Sequence, residues 1–215
     1  MRLLPFGLLL LAFSFIGLGQ TDQFTIHLKN GDFTPLVNSA EFIASPDFSP
    51  EELVKGSYFR LIQFEKTPSK QTIEELATAG INLCGYLSNK AYYASIRQNA
   101  NLNVLATNAV RSILQLERAF ILSEALYSKK YPDWALRAQG QIELTAIHFE
   151  LIAEVDAIAA LEKRGAEITQ TSGAGLISFI CPLADVDLFY SIPDKIVVAL
   201  DEKFKLEKSQ IALVE

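Results

Sequence analysis

Nucleophilic catalysis needs a general base beside a serine or cysteine. This chain of 215 residues has two histidines to supply one, His27 and His148. His27 falls in a short stretch that reads as a hairpin strand. His148 aligns with Gln63 in an internal copy that does without it, so both read as ordinary strand histidines. No Gly-x-Ser-x-Gly elbow occurs, and no His-x-x-x-His, Cys-x-x-Cys or acidic calcium-loop spacing. Gly173-Ala174-Gly175 joins two expected strands and so lacks the helix N-terminus that cradles phosphate. Glu74, Glu75, Glu150, Glu154 and Asp156 read as solvated carboxylates on or beside helices. Cys84 and Cys181 lie in strands of different copies. A bridge between them needs Cα atoms within about 7 Å. The alternative is two small buried apolar side chains. The expectation is a non-enzymatic chain with no catalytic residue, cofactor or metal.

Composition narrows the class further. Half the residues are hydrophobic, one fifth are charged, and the mean hydropathy is +0.21, which suits a folded core and not disorder. A net charge of −6 and a pI near 5.1 argue against nucleic-acid binding, which needs a basic footprint. Residues 1–19 carry Arg2, then an apolar run from Leu3 to Ile16, then Gly17 and Gly19 ahead of Gln20. That is the layout of a signal peptide cut between Gly19 and Gln20. The expected location is secreted or periplasmic, with no membrane attachment after cleavage.

The chain contains two copies of one unit. At one constant offset Ile62-Gln63-Phe64 falls on Ile147-His148-Phe149, and Ile73, Leu76 and Gly80 fall on Ile158, Leu161 and Gly165. With one residue dropped in a later loop, Leu116 falls on Leu200 and Phe120 on Phe204. In the first copy the pattern predicts a strand over 58–64, a helix opened by Pro68 and Ser69 and ended by Gly80, strands over 81–87 and 91–96 joined by Ser88-Asn89-Lys90, a short helix over 101–108 and a strand over 110–117. The second copy predicts a strand over 142–149, a helix over 156–164, strands over 167–171 and 176–181, a short helix near Asp185 and a strand over 195–200. This is β-α-β-β-α-β twice: an α+β chain of two tandem ferredoxin-like units, over 57–121 and 141–206. Ile73, Leu76, Ile158 and Leu161 are the expected buried helix positions.

The strands are apolar on both parities: Phe59 and Leu61 against Ile62 and Phe64, and Ile177 and Phe179 against Leu176 and Ile180. Both faces of each sheet therefore need cover, and helices supply only one. The other must come from the sister unit, the N-terminal segment or a separate protein. Residues 20–56 read as a small hairpin with an Asn30-Gly31 turn and a linker with one helical turn at Pro50. Residues 122–140 read as a connector, helical over 123–129, with Trp134 wedged between the units. Residues 207–215 form a tail without strong periodicity.

The run Tyr58-Phe59-Arg60-Leu61-Ile62-Gln63-Phe64, then Pro68, then Ile73-x-x-Leu76-x-x-x-Gly80-Ile81, then Leu87-Ser88-Asn89-Lys90-Ala91-Tyr92, resembles the N-terminal prodomains of secreted subtilisin-like serine proteases, the fervidolysin-like branch in particular. The resemblance is best over 58–96 and extends more weakly through Pro132-Asp133-Trp134 and the second copy. It implies a ferredoxin-like fold that templates folding of a subtilisin-like catalytic domain, in cis or trans. It also implies that a sheet face lies on that domain while the C-terminal tail, here Gln210, Ile211, Ala212, Leu213 and Val214, enters the active-site cleft as an inhibitor. The Asp, His and Ser blocks of such a catalytic domain are absent from this sequence. Two other readings stay open: a stand-alone exported inhibitor or adaptor, and a small-ligand module binding between paired units.

Overall fold

A strand with apolar side chains on both parities must be covered on both faces, and that demand organises the chain. The computed structural model describes residues 22–28, 31–149, 151–173, 175–189 and 197–202, the last segment by its backbone alone. The expected signal peptide with Gly19 and Gln20, and the tail Gln210, Ile211, Ala212, Leu213 and Val214, lie outside the described residues.

The fold is α+β with three antiparallel sheets. β1 (Ile26–Leu28) and β2 (Gly31–Phe33) form a hairpin. The short helix α1 (Ser39–Ala44) follows. The first large sheet is built from β3 (Ser57–Phe64), α2 (Lys70–Thr78), β4 (Ile81–Tyr86), β5 (Ala91–Arg97), α3 (Asn103–Thr107) and β6 (Val110–Gln115), in strand order β4-β5-β3-β6. The connector holds α4 (Arg118–Ile121), α5 (Glu124–Ser128) and β7 (Leu136–Arg137). The second sheet uses β8 (Gln141–His148), α6 (Glu154–Glu162), β9 (Glu167–Thr171), β10 (Leu176–Pro182) and β11 (Val197–Glu202), in order β11-β8-β10-β9, with β7 paired to β8. A 3₁₀ stretch, Leu183–Phe189, stands where the first sheet has α3. Both sheets thus place their first strand centrally, between the fourth and the third, with the second outermost.

Local chemistry explains the shared outline. Ser69 caps α2 by accepting from the Thr72 N–H at 3.1 Å. Gly80 and Gly165 end α2 and α6, both at φ 89, a left-handed value that glycine adopts without a Cβ penalty. Each of the four edge strands carries one residue that its neighbour does not match: Cys84 in β4, Arg111 in β6, Thr169 in β9 and Val198 in β11. Such bulges locally raise the twist of the strand. Cys84 and Thr169 occupy the same place in the two copies, between matched partners on the hairpin strand.

The two faces of the first sheet go to different cores. Ile62, Phe64, Ala94, Ile96 and Ile113 pack with Phe42 of α1, Leu76 of α2 and Leu105 of α3. Phe59, Leu61, Ala91 and Leu116 enter a core shared with Ile142, Leu144, Ala146, Ile177 and Phe179 of the second sheet. Ile26 of the hairpin, Leu126 and Ala135 of the connector, and Ala157 and Leu161 of α6 complete it. The joint is aromatic: the Phe149 ring lies 4.3 Å from Phe59 and 6.0 Å from Tyr93, centroid to centroid. The first sheet's second face is therefore filled by the sister unit, the N-terminal segment and the connector together.

The N-terminal segment is a clamp more than a linker. Asn38 donates through Nδ2 to the Ile113 carbonyl at 2.7 Å and accepts the Ile113 N–H on Oδ1 at 2.8 Å, so one side chain does for the outer edge of β6 what a neighbouring strand would do. Arg111 and Ser112 donate to the carbonyls of Pro35 and Leu36. The Phe24 ring lies between Lys90 and Arg111, at 4.2 and 4.3 Å. Buried Gln63 donates to the carbonyls of Phe24 and Asn89. Arg60, wholly buried, pairs with Glu52 at 2.7 Å and donates to the Asp47 carbonyl, tying down the segment before β3.

Three expectations are corrected. Ile73 is 41% exposed, because the inward stripe of α2 runs through Thr72, Leu76 and Ala79 and leaves Ile73 on its rim; Leu76 and Leu161 are buried as expected, and Ile158 is half-buried. Trp134 is 37% exposed in a connector turn, and its neighbour Ala135 takes the buried place. Residues 38–56 contain α1 besides the 3₁₀ turn Pro50–Glu52.

Truncating the aromatic joint should be costly. Phe149→Ala is expected to lower unfolding stability by about 3–5 kcal/mol, read from the urea midpoint. Asn38→Ala, which strips the N–H and C=O of Ile113 of their partner, is expected to cost about 1–3 kcal/mol in the same assay. A loss under half of the lower bound in either case would contradict the packing described.

Candidate partner-docking surface

Because successive residues of a strand face opposite ways, burial of Ile142, Leu144, Ala146, Ile177, Phe179 and Cys181 in the shared core turns their alternates to the outer face of the second sheet. The register sets these as cross-strand pairs: Leu176 opposite Ile147, Ser178 opposite Thr145, and Ile180 opposite Glu143. Leu176 and Ile147 remain 38% and 37% exposed, an aliphatic pair that no described element covers. Thr145 and Ser178 share a hydroxyl contact of 3.3 Å in the middle of the strip. At the far end Glu143 is buried, ion-paired with Arg137 and 3.5 Å from the Thr169 hydroxyl. The face grades from apolar to hydroxyl to a neutralised charge. β11 borders it, and the chain runs on from there towards its C-terminus.

The residues with chemical potential are placed elsewhere. His27 stands exposed in β1 with Nδ1 2.8 Å from an Asp32 carboxylate oxygen. Ser88 lies close by, but its hydroxyl accepts the backbone N–H of His27 at 3.0 Å, so the geometry is a turn anchor and not a nucleophile–base pair. This proximity of His27, Asp32 and Ser88 was invisible in the sequence, where Ser88 is remote. His148 ends β8 with Nδ1 3.0 Å from the Phe149 carbonyl. Cys84 and Cys181 are free thiols, so the bridge left open above is not formed. Cys84 is the extra residue of a sheet edge, while Cys181 points into the shared core from an inner strand of the other sheet. Among the described residues no three His, Cys, Asp or Glu side chains gather as a metal site. No described helix is long and apolar enough to cross a membrane.

An open groove of about 630 Å³ lies between α2 and α3, lined by Gln71, Glu75, Thr78, Asn99, Asn101 and Val104. Several of its polar groups have local partners: Gln71 donates to Glu75 at 2.9 Å, and Asn101 accepts the backbone N–H of Asn103 at 3.2 Å. The groove sits within one unit, not between the two.

Residues 27–117 match the sequence model of a family described as a domain of unknown function, DUF8729. The match runs from within β1 to just beyond β6, so it takes in the first large sheet and the N-terminal clamp except Phe24. No curated protein and no solved structure matches the chain.

Two groups at the joint between the sheets have displaced ionisation. Burial pushes the Tyr93 phenol from 10.0 up to about 12, and its hydroxyl donates to the Phe120 carbonyl at 3.2 Å. Burial, then the charge of Asp185, pushes the Cys181 thiol from 9.0 up to about 12. Both are neutral in the fold at pH values where the unfolded chain has already lost their protons. The unfolded state then binds fewer protons, and stability must fall as pH rises. Full stability is expected below the ordinary thiol value, with progressive loss towards pH 12. Urea midpoints across this range should show the decline, and Tyr93→Phe should make it shallower. An unchanged slope in that variant would contradict the placement of Tyr93.

Proposed function

We propose that each half of the chain is a ferredoxin-like βαββαβ unit and that the chain acts as a prodomain-like chaperone and inhibitor of an exported subtilisin-like serine protease, without catalysis of its own. The shared strand order supports the first part: read within each copy, both sheets run fourth, first, third, second, all antiparallel, which is the order of the split βαβ arrangement. A single asymmetry carries the second part. The inner strands of the first sheet have both faces filled from within the chain, leaving Tyr86 exposed at the end of its edge strand β4, whereas the second keeps Leu176 and Ile147 open on one face of its inner strands. A solvent-facing aliphatic pair on a rigid sheet is a natural anchor for a partner surface. The same sheet contains β11, from which the chain continues towards Gln210, Ile211, Ala212, Leu213 and Val214. A tail tethered beside a docked face engages a cleft as an effectively intramolecular event.

The test uses a subtilisin-like catalytic domain from the same organism. The chain should slow its peptide hydrolysis and speed its recovery from denaturant. The double variant Ile147→Asp with Leu176→Asp should weaken both effects at least tenfold while keeping the circular dichroism spectrum. Deleting 207–215 should weaken inhibition more than assisted refolding. A folded chain that produces neither effect would remove this reading in favour of an exported adaptor.

A further inference from the structure

We infer that the Lys130–Tyr131 peptide bond is a processing site for an endopeptidase with a basic-residue pocket, and that cutting there severs the covalent link between the two halves while leaving them associated. The connector is the ground for it. A protease must hold roughly four residues on each side of the bond in an extended form, which requires a stretch free of core anchors. Residues 127–134 come close to that: none is fully buried, Tyr127 is 52% exposed, Ser128, Lys129, Lys130 and Asp133 are exposed, and the one core contact is that of half-buried Tyr131, which must lift off for the bond to be held. The stretch is pinned just outside, by Leu126 and Ala135, both wholly buried. Little structure opposes its opening. α5 is a helix of five residues, closed by Lys129 in the left-handed region at φ 56 and by two backbone bonds, from the Lys129 N–H to the Leu126 carbonyl at 3.4 Å and from the Lys130 N–H to the Ala125 carbonyl at 3.0 Å.

The basic pair selects the bond. The sequence has two adjacent basic pairs, Lys129-Lys130 and Lys163-Arg164. The second is locked: Arg164 donates to the Ala160 carbonyl at 2.8 Å, and buried Leu161 and Ala166 stand two residues to either side of the pair. Among single basic residues, Lys66 follows Gln63 and Phe64, both fully buried in a central strand, and Lys70 opens the nine-residue helix α2. At Lys129-Lys130 the side-chain tether of the basic pair is the exposed ion pair of Lys129 with Asp187 at 2.7 Å, which a competing carboxylate in a protease pocket can replace.

The reaction is plain hydrolysis. Water adds across the C–N bond, Lys130 leaves as a carboxylate, and Tyr131 leaves as an amine. The products are a half that carries the hairpin and first sheet and a half that carries the second sheet. Phe149, packed on Phe59 and Tyr93, then holds them across a non-covalent interface.

Limited digestion of the full chain with a lysine-specific endopeptidase tests this without reference to any inhibitory activity. Mass spectrometry should place the first cut between residues 31 and 189 after Lys130 or Lys129. The two pieces should co-elute on gel filtration in native buffer and part in urea. Lys129→Gln with Lys130→Gln should prolong survival of that region at least tenfold. A first cut at Lys66, Lys70 or Lys163, pieces that part without urea, or a double variant cut at the original rate would each overturn the inference.

Discussion

Everything in this molecule hangs on how the second face of the first sheet is covered. A four-stranded sheet with helices on one side exposes its other side, and here that side carries Phe59, Leu61, Tyr93 and Leu116. Leaving it wet would cost roughly 25 cal/mol for each Å² of apolar area. The chain answers by turning Phe149, at the end of the second unit's first strand, against Phe59 and Tyr93. Once that contact is made, the direction of the second sheet's inner face follows, and so does the burial of Cys181 and the high pKa of Tyr93. The neutral character of the joint is a product of its dryness.

Filling one sheet from within leaves the other with an imbalance. The second unit gives its inner face to the shared core, and the 3₁₀ stretch Leu183–Phe189 adds Val186 and Phe189 to that same side. Polar pairing quiets most of that outer face through Thr145 with Ser178 and Glu143 with Arg137. Leu176 and Ile147, opposite each other in the register, stay partly exposed.

Much of this outline was readable in the residues. Gly80 and Gly165 mark matching helix ends because both need a positive φ, and two-sided apolar strands announced the two cores. The element order of both copies followed from periodicity that extends over seven or eight residues. What stayed hidden was either short or remote. α1 spans six residues and buries only Phe42, too little for a helical period to show. The exposure of Ile73 depends on helix phase, which a nine-residue segment with few apolar positions leaves loose. The fork of Asn38 on Ile113 and the cradle of Phe24 join residues far apart in the chain, and no local pattern encodes them. The outer face of the second sheet was not legible either, since which parity faces outward is decided by the packing of the two sheets on each other.

The bulges at Cys84, Arg111, Thr169 and Val198 bear on how the protein behaves among copies of itself. A regular strand edge offers a ladder of evenly spaced donors and acceptors that an identical molecule can read, and one such match invites the next. Here every outer rung sequence of the large sheets is broken once, so a second chain cannot keep step for more than a few residues before its groups fall out of phase. On β6 the Asn38 side chain already occupies the rung at Ile113. The bulges thus work against edge-to-edge pairing of the large sheets and favour association through a face.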